Sequence, residues 1–129
     1  MALVVASCVV MSGCGSTQEL APVRGKVTYK GKPLTTGVVM FQPLSGPPAR
    51  GRIQPDGTFE LEMLGEGAGA PLGTNRVRVS SREPSADTAT ETALGKLLIP
   101  KRYTDFATSG LTVEVAADRT EPYLIELED

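Results

Sequence analysis

Residues 50–62, RGRIQPDGTFELE, place five residues on either side of the triplet Pro55, Asp56 and Gly57. Proline presets φ for a turn and glycine accepts positive φ, so the chain is expected to reverse here. With period two on both sides, Ile53, Phe59 and Leu61 face a core, while Thr58, Glu60 and Glu62 face water. The pattern predicts a β-hairpin over 50–54 and 58–62, and with it an all-β chain.

Working outward, residues 23–30 alternate without a break: Val23, Gly25, Val27 and Tyr29 on one side, Arg24, Lys26, Thr28 and Lys30 on the other. This is the mark of a half-buried strand. Residues 31–34 turn the chain, and 37–42 form a second strand with Val39 and Phe41 inward, ended by Pro43, which has no N–H for a ladder. Residues 74–81 send Val77 and Val79 in, Arg76 and Arg78 out; Leu111, Val113 and Val115 alternate over 110–116; and Pro122 opens a last strand with Tyr123, Ile125 and Leu127 on one face. Between them, residues 64–73 hold four glycines and a proline and are expected to be irregular. Residues 81–95 are rich in Ser, Thr and Ala and read as a loop, with one or two helical turns available over 87–94 and no apolar stripe to hold them. Residues 97–103 form an apolar clip interrupted by Pro100. About seven short strands between turn signals predict an antiparallel β-sandwich, a single domain over 23–129.

Composition narrows the chemistry. Thirteen basic against fifteen acidic residues give a net charge of −2, with no basic block along the chain, so nucleic acid is not expected as a partner. Histidine is absent, which removes Ser/His/Asp triads, HExxH zinc sites and most general-base mechanisms near neutral pH. No catalytic residues, metal or cofactor are therefore assigned, and a hydrolase ranks last among the functions considered. Glu60 and Glu62 share one strand face and would be the carboxylates of a glycosidase, but the ordinary reading is a solvated face opposite basic side chains such as Arg76 and Arg78. The glycine-rich stretch lacks a following Lys-Ser or Lys-Thr and opens no helix, so it is no phosphate cradle. Asp87, Glu91 and Asp105 have oxygen ligands but none of the spacing of an EF-hand. Of three Tyr, three Phe and no Trp, the alternation turns four inward and leaves Tyr103 and Phe106 as candidate loop contacts for a ligand, Tyr103 reading better as a cap on the core.

The N-terminus reads as an address. Residues 1–14, MALVVASCVVMSGC, run apolar over 2–11, about half the length a spanning helix needs, and close on two small residues and Cys14. Met11, Ser12, Gly13 and Cys14 resemble the lipobox of bacterial lipoproteins, with Met11 where leucine is commoner and no Lys or Arg ahead of the apolar run. The resemblance implies cleavage between Gly13 and Cys14 and a lipid on the Cys14 thiol. Cys8 is the poorer acceptor, its apolar run being too short. Residues 1–13 are then the signal peptide and 14–22 a lipidated, flexible tether. Cys14 becomes the sole cysteine after processing, and no intramolecular disulfide is expected. Gly15 is not the aspartate that retains many enterobacterial lipoproteins at the inner membrane. The expected site is the cell envelope, at the periplasmic face of the outer membrane, a choice that the Gly15 position does not decide.

Taken in order, VRGKVTYKGKPL, VVMFQP, GRIQPDGTFEL, GAPLGTNRVRV and LIPKRYTDFATSGLTVEV resemble the small planctomycetal lipoproteins that carry a carboxypeptidase regulatory-like, or transthyretin-like, domain. The resemblance spans roughly 23–128 and implies a Greek-key sandwich of about seven strands without a catalytic unit. It carries over structural residues: Gly25 beside a neighbouring strand, Gly31 and Pro33 in the first turn, Asp56 and Gly57 in the hairpin, Gly73 and Gly110 at the start of strands. Asn75 stands where the family pattern implies an aromatic residue. The purine-degrading relatives of the fold use histidines and a C-terminal Tyr-Arg-Gly-Ser motif, whereas this chain ends IELED. The protein is thus expected to be a non-catalytic, lipid-anchored envelope protein, structural or protein-binding, its membrane contact made through the lipid on Cys14 and its partner an unidentified envelope protein. The alternative is a binder of carbohydrate or small solutes through the loops 64–73 and 81–106.

Overall fold

The structure, a computed structural model, describes residues 19–63, 65, 67–83 and 95–129. The turn at 55–57 forms as its chemistry requires. Gly57 takes φ +87°, its N–H donates to Gln54 O at 2.8 Å, and Gln54 N–H donates to Thr58 O at 2.7 Å. The Asp56 carboxylate accepts from the Thr58 N–H at 3.0 Å and from its hydroxyl at 2.6 Å.

The arms of that turn do not make the hairpin expected from the sequence. They diverge into two sheets. In chain order the strands are β1 (Leu20–Ala21), β2 (Arg24–Tyr29), β3 (Lys32–Pro33), β4 (Val38–Pro43), β5 (Ala49–Arg52), β6 (Thr58–Glu60), β7 (Glu62–Met63), β8 (Gly67–Ala68), β9 (Ala70–Pro71), β10 (Gly73–Ser80), β11 (Leu111–Val115) and β12 (Tyr123–Leu127). The larger sheet runs β11-β10-β4-β5-β7-β8; the smaller is β12-β2-β3, with β6 also on β2. The first arm, β5, therefore pairs with β4 in the larger sheet, and β6 pairs with β2 in the smaller. Two residues on, β7 returns to the larger sheet, where Glu62 lies opposite Arg50. Gly51 makes this crossing possible: a Cβ there would overlap the Glu60 carbonyl.

The sandwich is all-β, and seven of the strands described are three residues or longer. Among the described residues its strand pairs are antiparallel except one: β12 runs parallel to β2, in register from Tyr123 on Gly25 to Leu127 on Tyr29. Gly25 is the point of closest approach, because a Cβ there would overlap both Tyr123 O and the Phe59 ring. The β2–β3 connection is a two-residue turn with φ +52° at Lys30 and +79° at Gly31, the double positive φ of a type I′ turn matched to strand twist.

Between the sheets lies one apolar cluster that includes Val27, Val39, Phe41, Phe59, Val77, Val79, Tyr123, Ile125 and Leu127. Phe41 from one sheet meets Phe59 from the other edge-on, ring centroids 6.3 Å apart. The alternation predicted for these strands therefore points as expected, with Tyr29 only half-buried at the rim.

Two stretches are more ordered than their composition implies. Residues 64–73, expected to be irregular, contribute β8 and β9, and Ala70 is fully buried. Leu20 and Ala21, expected to be tether, form β1 against β9, with Ala21 buried. Gly69 permits this docking, since a Cβ there would overlap Ala21 O. The base of the loop after β10 is also laced: Glu83 N–H donates to Lys96 O and Leu98 N–H to Ser81 O, both at 2.9 Å. The helical turns considered over 87–94 lie outside the described residues.

Candidate functional site

Gly13 and Cys14, the expected cleavage and lipidation positions, lie outside the described residues, as do Cys8, Asp87 and Glu91. The remaining candidates are separated rather than gathered. Tyr103 sits on a single 3₁₀ turn, Lys101–Thr104, and is buried. Its hydroxyl donates to Glu128 O at 3.0 Å, and accepts from Glu128 N–H at 3.0 Å and from Arg102 Nη2 at 2.7 Å. A side chain so engaged caps the core and is not presented to a ligand. Phe106 is half-buried, its ring 5.3 Å from the Arg78 guanidinium.

Glu60 and Glu62, two residues apart, belong to strands of different sheets. Their cross-strand neighbours are not Arg76 and Arg78 but Arg24, 3.9 Å from Glu60 in an exposed pair, and Arg50, opposite Glu62. The loops 64–73 and 81–106 leave opposite ends of β10, an eight-residue strand about 25 Å long at the usual rise per residue. Among the described residues no group of three or more His, Cys, Asp or Glu side chains could hold a metal ion.

Two carboxylates are held below their ordinary range. The Lys30 ammonium and then the Tyr29 hydroxyl do this to Asp129, which in turn raises both partners. The Thr58 hydroxyl and N–H do it to Asp56. Asp56, Lys30 and Asp129 are exposed and Tyr29 is half-buried, and all four close turns or strand ends. Asn75, by contrast, is fully buried in β10, its amide donating to Pro71 O at 2.9 Å and Gly73 O at 3.1 Å. It fastens the bend between β9 and β10, and its Oδ1 has no partner.

The largest cavity described, about 480 Å³, is an open groove between Pro22, Arg24, Arg119, Thr120, Glu121, Pro122 and Tyr123. Arg119 does not reach into it freely: its guanidinium stacks on Tyr123 at 4.0 Å and donates to Glu121 O and Pro122 O.

The feature that the linear sequence conceals is the outer face of the larger sheet. Register places Arg78 opposite Met40, Met40 opposite Arg50, Arg76 opposite Gln42, and Arg52 opposite Val38. Four arginines from two strands thus form a diagonal band across β10, β4 and β5. Arg50, Arg52 and Arg76 are exposed, and no carboxylate among the described residues pairs with any of the four. Arg78 is fixed: its Nε and Nη2 donate to the Met40 sulfur at 3.1 and 2.7 Å, and Nη1 donates to Thr104 O at 3.4 Å. A signal for this existed in the sequence, since the pairs Arg50/Arg52 and Arg76/Arg78 each have the spacing that puts both side chains on one strand face. What could not be read was that β4 brings the pairs together.

No family model, curated protein or solved structure matches this chain.

Proposed function

We propose that this chain is a lipid-anchored, non-catalytic β-sandwich of the cell envelope, a structural or protein-binding module of the carboxypeptidase regulatory-like lipoprotein type that its sequence resembles. The observation that carries the reading is the relation between Cys14 and β1. The chain is built into the sandwich from Leu20 onward, with Ala21 buried against β9, six residues after the cysteine that the lipobox-like segment offers for acylation. Six residues span at most about 20 Å, so a lipid on Cys14 holds the domain close to the bilayer with a fixed exit point. The two acyl chains of a diacylglyceryl group contribute about 0.8 kcal/mol per buried methylene, enough for stable attachment. No helix among the described residues is long and apolar enough to cross a membrane. A non-catalytic role is supported by the absence of histidine from the sequence and by the use of the Tyr103 hydroxyl in packing. The outer membrane, periplasmic face, is the proposed location.

The test is metabolic labelling with palmitate in a bacterial host. Label is expected in the wild-type chain and absent from Cys14→Ser, with the mature mass starting at Cys14. Equal labelling of the two chains, or an uncleaved and unlabelled wild type, overturns the reading.

A further inference from the structure

We propose that the arginine band on the outer face of the larger sheet binds a linear polyuronate, a polysaccharide whose charges are carboxylates. The assignment rests on the domain being displayed in the envelope and goes beyond the structural or protein-binding reading by naming a polysaccharide ligand.

Exposed arginines at Arg50, Arg52 and Arg76, with Arg78 pinned between Met40 and Thr104, carry four cations on one sheet face with no paired carboxylate among the described residues. Neighbouring strands lie about 4.8 Å apart and alternate residues about 7 Å apart along a strand. The guanidiniums of Arg50 and Arg78, flanking β4, are therefore rooted about 10 Å apart, with Arg52 and Arg76 one step further along the diagonal. Such spacing serves a repeating anion better than a single small one. Guanidinium presents a planar fork of donors that matches a carboxylate in two parallel hydrogen bonds.

The shape and margins of the face select among polyanions. It holds a groove of about 280 Å³ between Val38, Arg50, Gly51, Arg52 and Glu62, which suits a chain lying across the sheet. Glu62 on β7 and Glu114 on β11 stand at its two sides, and Glu114 accepts a hydrogen bond from the Thr74 hydroxyl. These carboxylates leave a path for a narrow polymer along the band and repel a broad anionic bilayer. A protein partner would need an apolar centre to its interface, and the exposed large apolar residues described are Val38, Leu44 and Leu124, of which Val38 alone is on this face. Neutral sugar is usually gripped by exposed aromatic rings; the chain has no Trp, Phe41, Phe59, Tyr103 and Tyr123 are buried, Tyr29 is half-buried in the other sheet, and Phe106 is half-buried with its ring against Arg78. Recognition by charge is what remains.

The experiment titrates the full-length chain with polygalacturonate by calorimetry, at low and moderate salt. Saturable binding is expected, weakening with salt, with no heat from neutral dextran. Arg50→Gln/Arg76→Gln should weaken it at least tenfold with an unchanged melting temperature, while Arg24→Gln/Arg119→Gln, which removes the same charge at the far groove, should bind as wild type. Arg50→Lys/Arg76→Lys should fall between, having charge without the fork. Equal binding by wild type and Arg50→Gln/Arg76→Gln overturns the site. Binding to dextran sulfate or polyglutamate as tight as to polygalacturonate, or binding of the unlipidated Cys14→Ser chain to phosphatidylglycerol vesicles as tight as to polygalacturonate, overturns the ligand class. The anchor fails separately: binding that persists in a chain taking up no palmitate leaves this site standing, and label in a chain indifferent to Arg50 and Arg76 leaves the anchor standing.

Discussion

At Gly25 a single hydrogen atom decides whether the smaller sheet can close. Its missing side chain lets the Tyr123 carbonyl and the Phe59 ring approach together, and both neighbours are buried, so neither can swing aside. Gly25→Ala is expected to cost about 2–3 kcal/mol, in the range of overpacked cores, read as a lowered midpoint in urea with little change in slope; a midpoint within error of wild type would show that β12 shifts freely on β2. Asn75 is the opposite case, a polar side chain kept in a dry position. Its amide satisfies Pro71 O and Gly73 O where β9 bends into β10, and the unpartnered Oδ1 is the cost of using a residue with two polar ends. Asn75→Ala should destabilise by about 2 kcal/mol, since two carbonyls lose their donor while one orphaned oxygen disappears; stability equal to wild type would mean that water replaces the amide.

Among the elements, β12 is an edge strand whose open side is partly sealed. In a parallel pair, alternate residues point their N–H and C=O toward the partner, and Leu127 O accepts from Lys30 N–H, so residues 124, 126 and 128 direct theirs outward. At one end Tyr103 satisfies both backbone groups of Glu128, with Arg102 adding a second donor at 3.1 Å; at the other, Arg119 occupies Pro122 O. Two residues remain for strand addition, a short edge of the kind that resists edge-to-edge association. Tyr103→Phe is expected to cost about 1–2 kcal/mol and to speed amide exchange at Glu128 while leaving Ile125 protected; unchanged exchange at Glu128 would refute the cap. This element was half legible. The alternation of Tyr123, Ile125 and Leu127 marks a strand, but pairing it in parallel with β2 is a contact across almost the whole chain, which no local pattern encodes. The same limit explains residues 50–62, where Pro55, Asp56 and Gly57 specify a turn and say nothing of which sheet receives each arm. In residues 64–73 the glycines that suggested irregularity instead permit close approach, at Gly69 against Ala21. The arginine band was hidden for a related reason: spacing places each pair on a face, and only the order β10-β4-β5 joins the faces.

For the whole molecule, charge and composition set how stability depends on pH. The described domain contains neither histidine nor cysteine, the side chains that ordinarily titrate between about pH 6 and 9, so its melting temperature should be level across that window. Outside it, one cluster at the end of the smaller sheet acts in both directions. Asp129 has its pKa lowered by Lys30 and Tyr29, so its contribution is complete above the unfolded value near 4 and is lost as pH falls through the lowered folded value. Lys30 and Tyr29 have theirs raised by Asp129, so their contributions are complete below the unfolded values near 10 and are lost as pH rises through the raised ones. Asp129→Asn removes the common partner. Relative to wild type it should lower the melting temperature modestly at neutral pH, because the cluster lies at the surface and is screened, and the two chains should converge both as pH falls through the lowered Asp129 value and as it rises through the raised Lys30 and Tyr29 values. Asp56→Asn, which disturbs only the Thr58 contacts of the turn, should converge with wild type on the acid side alone. A gap between wild type and Asp129→Asn that persists unchanged into both the acid and the alkaline limbs would mean that the end of β12 is held by its backbone ladder and the Tyr103 cap, with the charge cluster adding nothing to the fold.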